Sequence, residues 1–326
     1  MKRLVGFATL AATSIVMTWL SACSDSTNPS SPDAGGGTLP DATANDSAIP
    51  SLDAGADAAS GVIPVSIQFK AKVGSSDFQC GTTYNTQGAT AESVQPSDLR
   101  FFVDKVYLVN DKGMEVPVTF DERTPWQTKD VALLDFEDGK GECKNGNAET
   151  NSRITGTVPA GTYRGIVFSN GVPESLNHGD PTKAPAPLQA GGMTWGWLYG
   201  YKFFTAQLVS MSLPDGGADA GARGIGLFHL GSVGCDNAVD GGDPDFNQPP
   251  KVTCTQANRN RIKLSDFSPT NSAVVLDVGA LFSATDLKAD SQCHSAGDAC
   301  PPLFTNIGLS FQTGAQLPSQ SVYRTE

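Results

Sequence analysis

The sequence predicts an all-β chain, an antiparallel β-sandwich stapled by disulfides and carrying long irregular loops. Three observations predict it. Short runs rich in Val, Ile, Phe, Tyr and Leu recur along the chain, separated by clusters of Gly, Pro and Asn. Helical periodicity is scarce, and Val278 to Leu287 is the one stretch read as a short helix. Apart from Cys23, six cysteines remain, Cys80, Cys143, Cys235, Cys254, Cys293 and Cys300, and an even count in an exported chain points to disulfides.

Export is read from the first residues. Met1-Lys2-Arg3 precedes a mostly apolar run from Leu4 to Leu20 and then Leu20-Ser21-Ala22-Cys23, the form of a bacterial lipoprotein signal. Cleavage before Cys23 (signal peptide 1–22) and lipid on its thiol would tether the chain outside the cytoplasm. Ser24 rather than Asp after Cys23 favours the outer membrane. The apolar run is too short and too rich in Ser and Thr for a membrane-spanning anchor. Residues 23–61 are Ser, Pro, Asp, Ala and Gly with no aromatic residue, a composition that buries too little apolar surface to offset its ordering entropy, so this part reads as a flexible acidic tether. Residues 62–326 then form one domain of ordinary size.

Within that domain Val65, Ile67, Phe69, Ala71 and Val73 alternate with polar residues and define a half-buried strand. Leu99 to Val109, the turn Asn110 to Gly113 and Met114 to Phe120 read as a hairpin whose second arm, with Pro117, prefers an edge. Val131 to Phe136 is a short apolar strand. Arg153 to Val158, the turn Pro159 to Gly161 and Thr162 to Phe168 read as a second hairpin. Met193 to Phe204, Met-Thr-Trp-Gly-Trp-Leu-Tyr-Gly-Tyr-Lys-Phe-Phe, is expected to be a strand that sets Met193, Trp195, Trp197, Tyr199, Tyr201 and Phe203 on one face, rungs about 6.5 to 7 Å apart. Such a ladder reads as core, since large aromatics dominate cores, and also as a set of closely spaced oxidisable groups; the two are compatible, because a buried ladder is shielded from water. Thr205 to Met211 follows as a strand. Ser212 to Gly224 repeats the tether's composition and is read as a loop insertion. Gly226 to Leu230, Arg261 to Leu264, Ala273 to Asp277 and Ile307 to Phe311 complete the expected strands.

The formal charge is −12, from 34 acidic and 22 basic residues, with no basic stripe, so nucleic acid is excluded as a partner. Sequence order pairs Cys80 with Cys143, Cys235 with Cys254 and Cys293 with Cys300, although fifteen pairings are open to six cysteines. A Gly-x-Ser-x-Gly elbow, a His-Glu-x-x-His pair and a Walker loop are all missing, which removes the common hydrolase and nucleotide readings, and without Cys-x-x-Cys-His the chain attaches no c-type haem. Two acidic groups, Asp135-Glu137-Asp138 and Asp240-Asp243-Asp245, lack calcium-loop spacing and read as solvated loop acids. Three histidines, His178, His229 and His294, enumerate any imidazole site. His178 with His229 is one candidate pair of metal ligands, and the thioether of Met193 would add a soft donor of the type that selects copper(I).

With these segments assembled, the chain resembles the MbnP family, the four-cysteine partner of the metallo-mystery pair systems. The match runs through most of residues 65 to 315: Phe78-Gln-Cys-Gly-Thr-Thr-Tyr84, Asp98-Leu-Arg-Phe-Phe102, Trp126-Gln127, Val131 to Asp138, Gly171-Val-Pro173 with Leu176-Asn-His178, Met193-Thr-Trp-Gly-Trp197, His229 to Ser232 with Cys235, Asn258-Arg259, and Cys293 with Cys300. The resemblance implies a copper-binding, non-catalytic protein of the periplasm or cell surface. It also implies a dihaem c-type partner, similar to MauG and bacterial cytochrome c peroxidases, that oxidises a tryptophan to kynurenine. Trp195 and Trp197 are the implied oxidation sites, with Trp126 the alternative; His178 and His229 match family histidines as copper ligands. His294 stands where the family pattern favours methionine, and either residue type can hold copper(I). Two other classes compete: a structural or adhesion sandwich whose aromatic stretch is only core, and a copper oxidase, which would need an open coordination position.

Overall fold

A computed structural model describes residues 61–212, 223–238 and 242–326. The signal peptide, Cys23, the tether up to residue 60, most of the insertion between Ser212 and Gly224, and Asp240 lie outside the described residues. In chain order the strands are β1 (Val62–Val73), β2 (Ser76–Asp77), β3 (Tyr84–Gln87), β4 (Glu92–Asn110), β5 (Glu115–Pro117), β6 (Thr119–Phe120), β7 (Ala132–Asp135), β8 (Arg153–Pro159), β9 (Tyr163–Asn170), β10 (Phe204–Ser210), β11 (Ile225–Leu230), β12 (Arg261–Ser265), β13 (Ala273–Asp277), β14 (Ser291–Cys293) and β15 (Tyr323–Thr325). Three short helices accompany them among the described residues: α1 (Glu174–Asn177), α2 (Val278–Leu281) and α3 (Cys300–Ile307).

The strands form two sheets, one of six strands in the order β15-β13-β1-β8-β6 with β2 on β1, the other of nine in the order β12-β9-β4-β10-β11-β14 with β3, β5 and β7 on β4. All-β and sandwich-like, the fold is as the sequence predicts. Its pairings are antiparallel except β1 with β13 and β11 with β14, which run parallel. All three bridges carry the pairing suggested by sequence order, Cys80–Cys143, Cys235–Cys254 and Cys293–Cys300.

The alternation in β1 works as read, with Val65, Ile67, Phe69, Ala71 and Val73 all buried. Their partners come from the other sheet: Phe69 meets Phe101 and Phe168 edge to face at 6.1 and 5.5 Å, and Phe101 stacks on Phe204 at 5.3 Å. A buried phenylalanine of this kind is worth about 1.5–3 kcal/mol relative to exposure, so these rings hold the sheets together. Strand β4 is 19 residues long and forms the spine of the nine-stranded sheet. Leu99, Phe101 and Val103 face the main core, so Asp98, Arg100 and Phe102 stand on the opposite face. There Phe102 joins a second, smaller apolar cluster with Leu133, Val172, Met193, Tyr201 and Phe203.

Four expectations need correcting. Met193 to Phe204 is not a strand: Trp197, Leu198 and Tyr199 form a turn, Thr194 and Tyr201 make one bridge, and regular pairing begins only at Phe204. Gly196 at φ 98° and Gly200 at φ 72° occupy the left-handed region that folds the chain back on itself, so the aromatic rings leave in different directions. Second, β8 and β9 are no hairpin: β8 pairs with β1 and β6, β9 with β4 and β12, and the turn between them carries the chain from one sheet to the other. Third, Ile307 ends helix α3, whose left-handed cap is Gly308, and Leu309 makes only an isolated bridge, so no strand spans Ile307 to Phe311. Fourth, the helix expected over Val278 to Leu287 stops after Leu281.

Candidate metal centre

The outer face of the nine-stranded sheet carries one row of polar residues in register. Asp135 of β7 pairs with Arg100 of β4, Arg100 with Thr205 of β10, and Thr205 with His229 of β11. Directly paired side chains stand on the same face, about 4.5–5.5 Å apart at Cβ. The row continues because β14 runs parallel to β11 with Cys293 opposite Phe228, which brings the next residue, His294, beside His229. Ser295 then locks the chain: Gly231 N–H donates to Ser295 Oγ at 2.8 Å, and Ser295 Oγ–H donates to the His229 carbonyl at 2.9 Å. The Cys293–Cys300 bridge ties the same segment to α3.

The outcome is two imidazoles with their Nδ1 atoms 3.1 Å apart. His294 Nε2 lies 3.2 Å from Gln292 Oε1, so an Nε2–H donated there leaves Nδ1 with a lone pair toward His229. This is the arrangement in which ligating histidines occur, one nitrogen on the ion and the other N–H on a carbonyl oxygen. Burial, then the charge of Lys202 and the proximity of His294, hold His229 down to about 3; burial and Lys202 also lower His294. Both rings are therefore neutral near pH 7, the form that binds metal. Imidazole nitrogens sit about 2.0–2.1 Å from zinc and similar ions, so two of them at this separation can share one ion. Met193 is buried close by: Thr205, the register partner of His229, places its Oγ1 3.8 Å from Met193 Sδ. Two neutral imidazoles with a thioether beside them suit copper(I).

Trp195 packs against this pair, its ring centroid 6.2 Å from that of His229. Gly231 makes room for it, since a Cβ there would lie 2.4 Å from the indole. The Lys202 ammonium sits 5.9 Å above the same ring. The hairpin holding Trp195 is pinned from behind by Asn177, which is buried, accepts from Tyr201 N–H at 2.9 Å, and leaves no room for a side chain at Gly200. Trp197 lies in the turn, and its N–H donates to the Phe246 carbonyl. Trp126 lies instead in the wall of a cleft of about 690 Å³ on this face, lined also by Arg100, Glu137, Lys202 and His229.

Arg100 organises the cleft. It holds Asp98 through two hydrogen bonds of 2.9 Å, contacts Glu137 Oε1 at 2.9 Å, and donates to the Gly191 carbonyl at 2.8 Å, tethering the start of the tryptophan hairpin. Burial, and after it the charge of Asp98, outweigh Arg100 and push Glu137 up to about 8; burial raises Asp135 to about 6. Asp135 and Glu137 are thus buried, not the solvated loop acids expected, while Asp138 pairs with Lys140 at the surface.

His178 is placed elsewhere. Its Nδ1 hydrogen-bonds the Trp197 carbonyl at 2.9 Å, and its Nε2 lies 3.0 Å from Asn177 Nδ2 and 3.5 Å from Cys254 Sγ. The structure thus joins His229 to His294, Met193 and Trp195, and sets His178 beside the Cys235–Cys254 bridge. Ser295, Lys202, Arg100 and Asn177 shape the centre without having been marked as site residues; Arg100 and Asn177 lay within motifs already noted and Lys202 within the aromatic stretch, whereas nothing local signals Ser295.

The MbnP family model matches residues 62–295 of the chain. The chain is also similar to a solved structure, MbnP from Methylosinus trichosporium, with 26% identity and a TM-score of 0.68 over 81% of this chain and 98% of that one. No curated protein matches.

Proposed function

The chain belongs to the MbnP family, and from that premise we propose that it is a lipid-anchored, extracytoplasmic copper-binding protein without catalytic activity of its own, matured when a dihaem c-type partner oxidises Trp195 to kynurenine. The observation that carries this reading is the His229–His294 pair with the Trp195 ring against it. Indole offers a metal no lone pair; kynurenine offers an arylamine and a ketone. Maturation breaks the indole C2–C3 bond and places oxygen on both carbons, each indole consuming two peroxides that leave as water. Hydrolysis then releases C2 as formate. Copper, when bound, supplies the protein's redox-active ion.

The residues around Trp195 support its selection over its aromatic neighbours. Tyr201 is buried, its hydroxyl has no hydrogen-bond partner among the described residues, and burial pushes its pKa up to about 12. A phenol with no acceptor for its proton is a poor resting place for an electron hole, whereas an indole needs none. Trp195 is the one tryptophan among the described residues whose ring meets the histidine pair; Trp126 stands in the cleft wall and Trp197 in the turn. Copper(I) titration against a competing chelator tests the site: His229→Ala or His294→Ala abolishes tight binding, and His178→Ala retains it. Unchanged binding in the His229 variant would return the chain to a structural or adhesion sandwich.

A further inference from the structure

A second cluster of ligand atoms lies behind the tryptophan hairpin. His178 and the sulfurs of Cys235 and Cys254 each offer one ligand atom, all within 4.8 Å of one another. The imidazole is already oriented as a ligand. Nδ1–H donates to the Trp197 carbonyl at 2.9 Å, which leaves the Nε2 lone pair 3.5 Å from Cys254 Sγ; a backbone carbonyl on the far nitrogen is the usual support of a metal-binding histidine. Asn177 Nδ2 donates to that Nε2 lone pair at 3.0 Å in the closed form, a hydrogen bond that an incoming ion would displace. The other two bridges are built differently. Cys293 and Cys300 have no exposed surface, and in the Cys80–Cys143 bridge Cys143 has none while Cys80 keeps 8%; both sulfurs of the third bridge keep some, 6% at Cys235 and 9% at Cys254. What sets it apart is the imidazole: among the described residues a histidine nitrogen hydrogen-bonds only the Cys254 sulfur. Leu198 and Tyr199 pack on this bridge, so it abuts the hairpin that carries Trp195.

We propose that Cys235, Cys254 and His178 form a redox-gated site for a soft metal ion, copper(I) or zinc, closed in the disulfide form and opened by a dithiol reductant. The chemistry balances through thiol–disulfide exchange. A partner thiolate attacks one sulfur and forms a mixed disulfide, and the other sulfur leaves as a thiolate and takes a proton. The partner's second thiol resolves the mixed bond, so the partner ends as a disulfide and this chain as two thiols. Metal binding then releases both thiol protons, and two thiolates with one imidazole make a soft donor set. The site is separate from the His229–His294 centre and does not depend on tryptophan oxidation.

The test uses the full chain, a phosphine reductant and Co²⁺ as a spectroscopic probe. Mass tagging of free thiols is expected to show Cys235–Cys254 opening while the other two bridges stay closed. At that stage Co²⁺ should occupy one further site per chain with a thiolate-to-cobalt absorption band. His178→Ala, its oxidised fold checked by circular dichroism, should weaken this binding by at least about tenfold, the lower bound for loss of even an outer-shell partner. Cys235→Ser with Cys254→Ser should lose the band while the His229–His294 centre still takes up metal. The proposal is overturned if the bridge opens without a thiolate band, if His178→Ala binds Co²⁺ as tightly as the parent, or if the bridge opens only when circular dichroism reports loss of the fold.

Discussion

His229 and His294 share an Nδ1···Nδ1 hydrogen bond of 3.1 Å in which one neutral ring donates to the other, and what surrounds them decides their chemistry. Burial and then Lys202 keep both uncharged, so the pair takes up an ion by moving one ring proton from Nδ1 to Nε2, with no net proton loss. Replacing either histidine should cost more copper affinity than the roughly 10–100-fold typical of outer-shell losses, while Gln292→Ala, which removes the oxygen holding His294 Nε2–H, should fall within that range; competition titration separates the cases. Glu137 makes a pH prediction. Its pKa rises from 4.5 to about 8 on folding, so between those values the folded chain binds more protons than the unfolded one. Stability must then fall as pH rises through that window. Glu137→Gln keeps the neutral form at every pH, and thermal melts should show it matching the parent near pH 4.5 and exceeding it above pH 8.

At the level of elements, the tryptophan hairpin is the part the sequence disguised. Its alternation of large aromatics with Thr, Gly and Leu is what a strand would show, yet Gly196 and Gly200 are there for their positive φ, and only the folded chain reveals that. Gly200→Ala should therefore be costly. A Cβ at this position would stand 2.4 Å from Asn177 Oδ1 on a left-handed backbone, and the expected loss is about 1–3 kcal/mol. Chemical denaturation measures that loss, and weaker copper uptake by the folded fraction would show that the hairpin positions the centre. Strand β1, by contrast, was legible residue by residue because both its neighbours and its burial follow the period of two.

For the whole molecule, the sequence conveyed what local pattern and cysteine order encode: an all-β class, three bridges in chain order, and histidines in number small enough to enumerate. It did not convey which sheet each strand joins. The turn after β8 looks like any hairpin turn, and only the packing of Phe69, Phe101 and Phe168 between sheets decides that β9 crosses over. For the same reason the His229–His294 pair was hidden: it depends on the parallel pairing of β11 with β14, between residues 65 apart in the chain. His178 and His229 both carried family motifs, yet the sandwich sends them to different neighbours. The assembled face, with Arg100, Lys202, Trp126 and His229 around one cleft and Trp195 and His294 packed against His229, is thus a property of the completed fold. Its central claim is tested most directly by peptide mass spectrometry across Ala190 to Lys202, on protein made in its native host with and without the haem partner. The account predicts oxygen gain and carbon loss at Trp195 only when the partner is present. An intact Trp195 in both samples, or the same change without the partner, would contradict it.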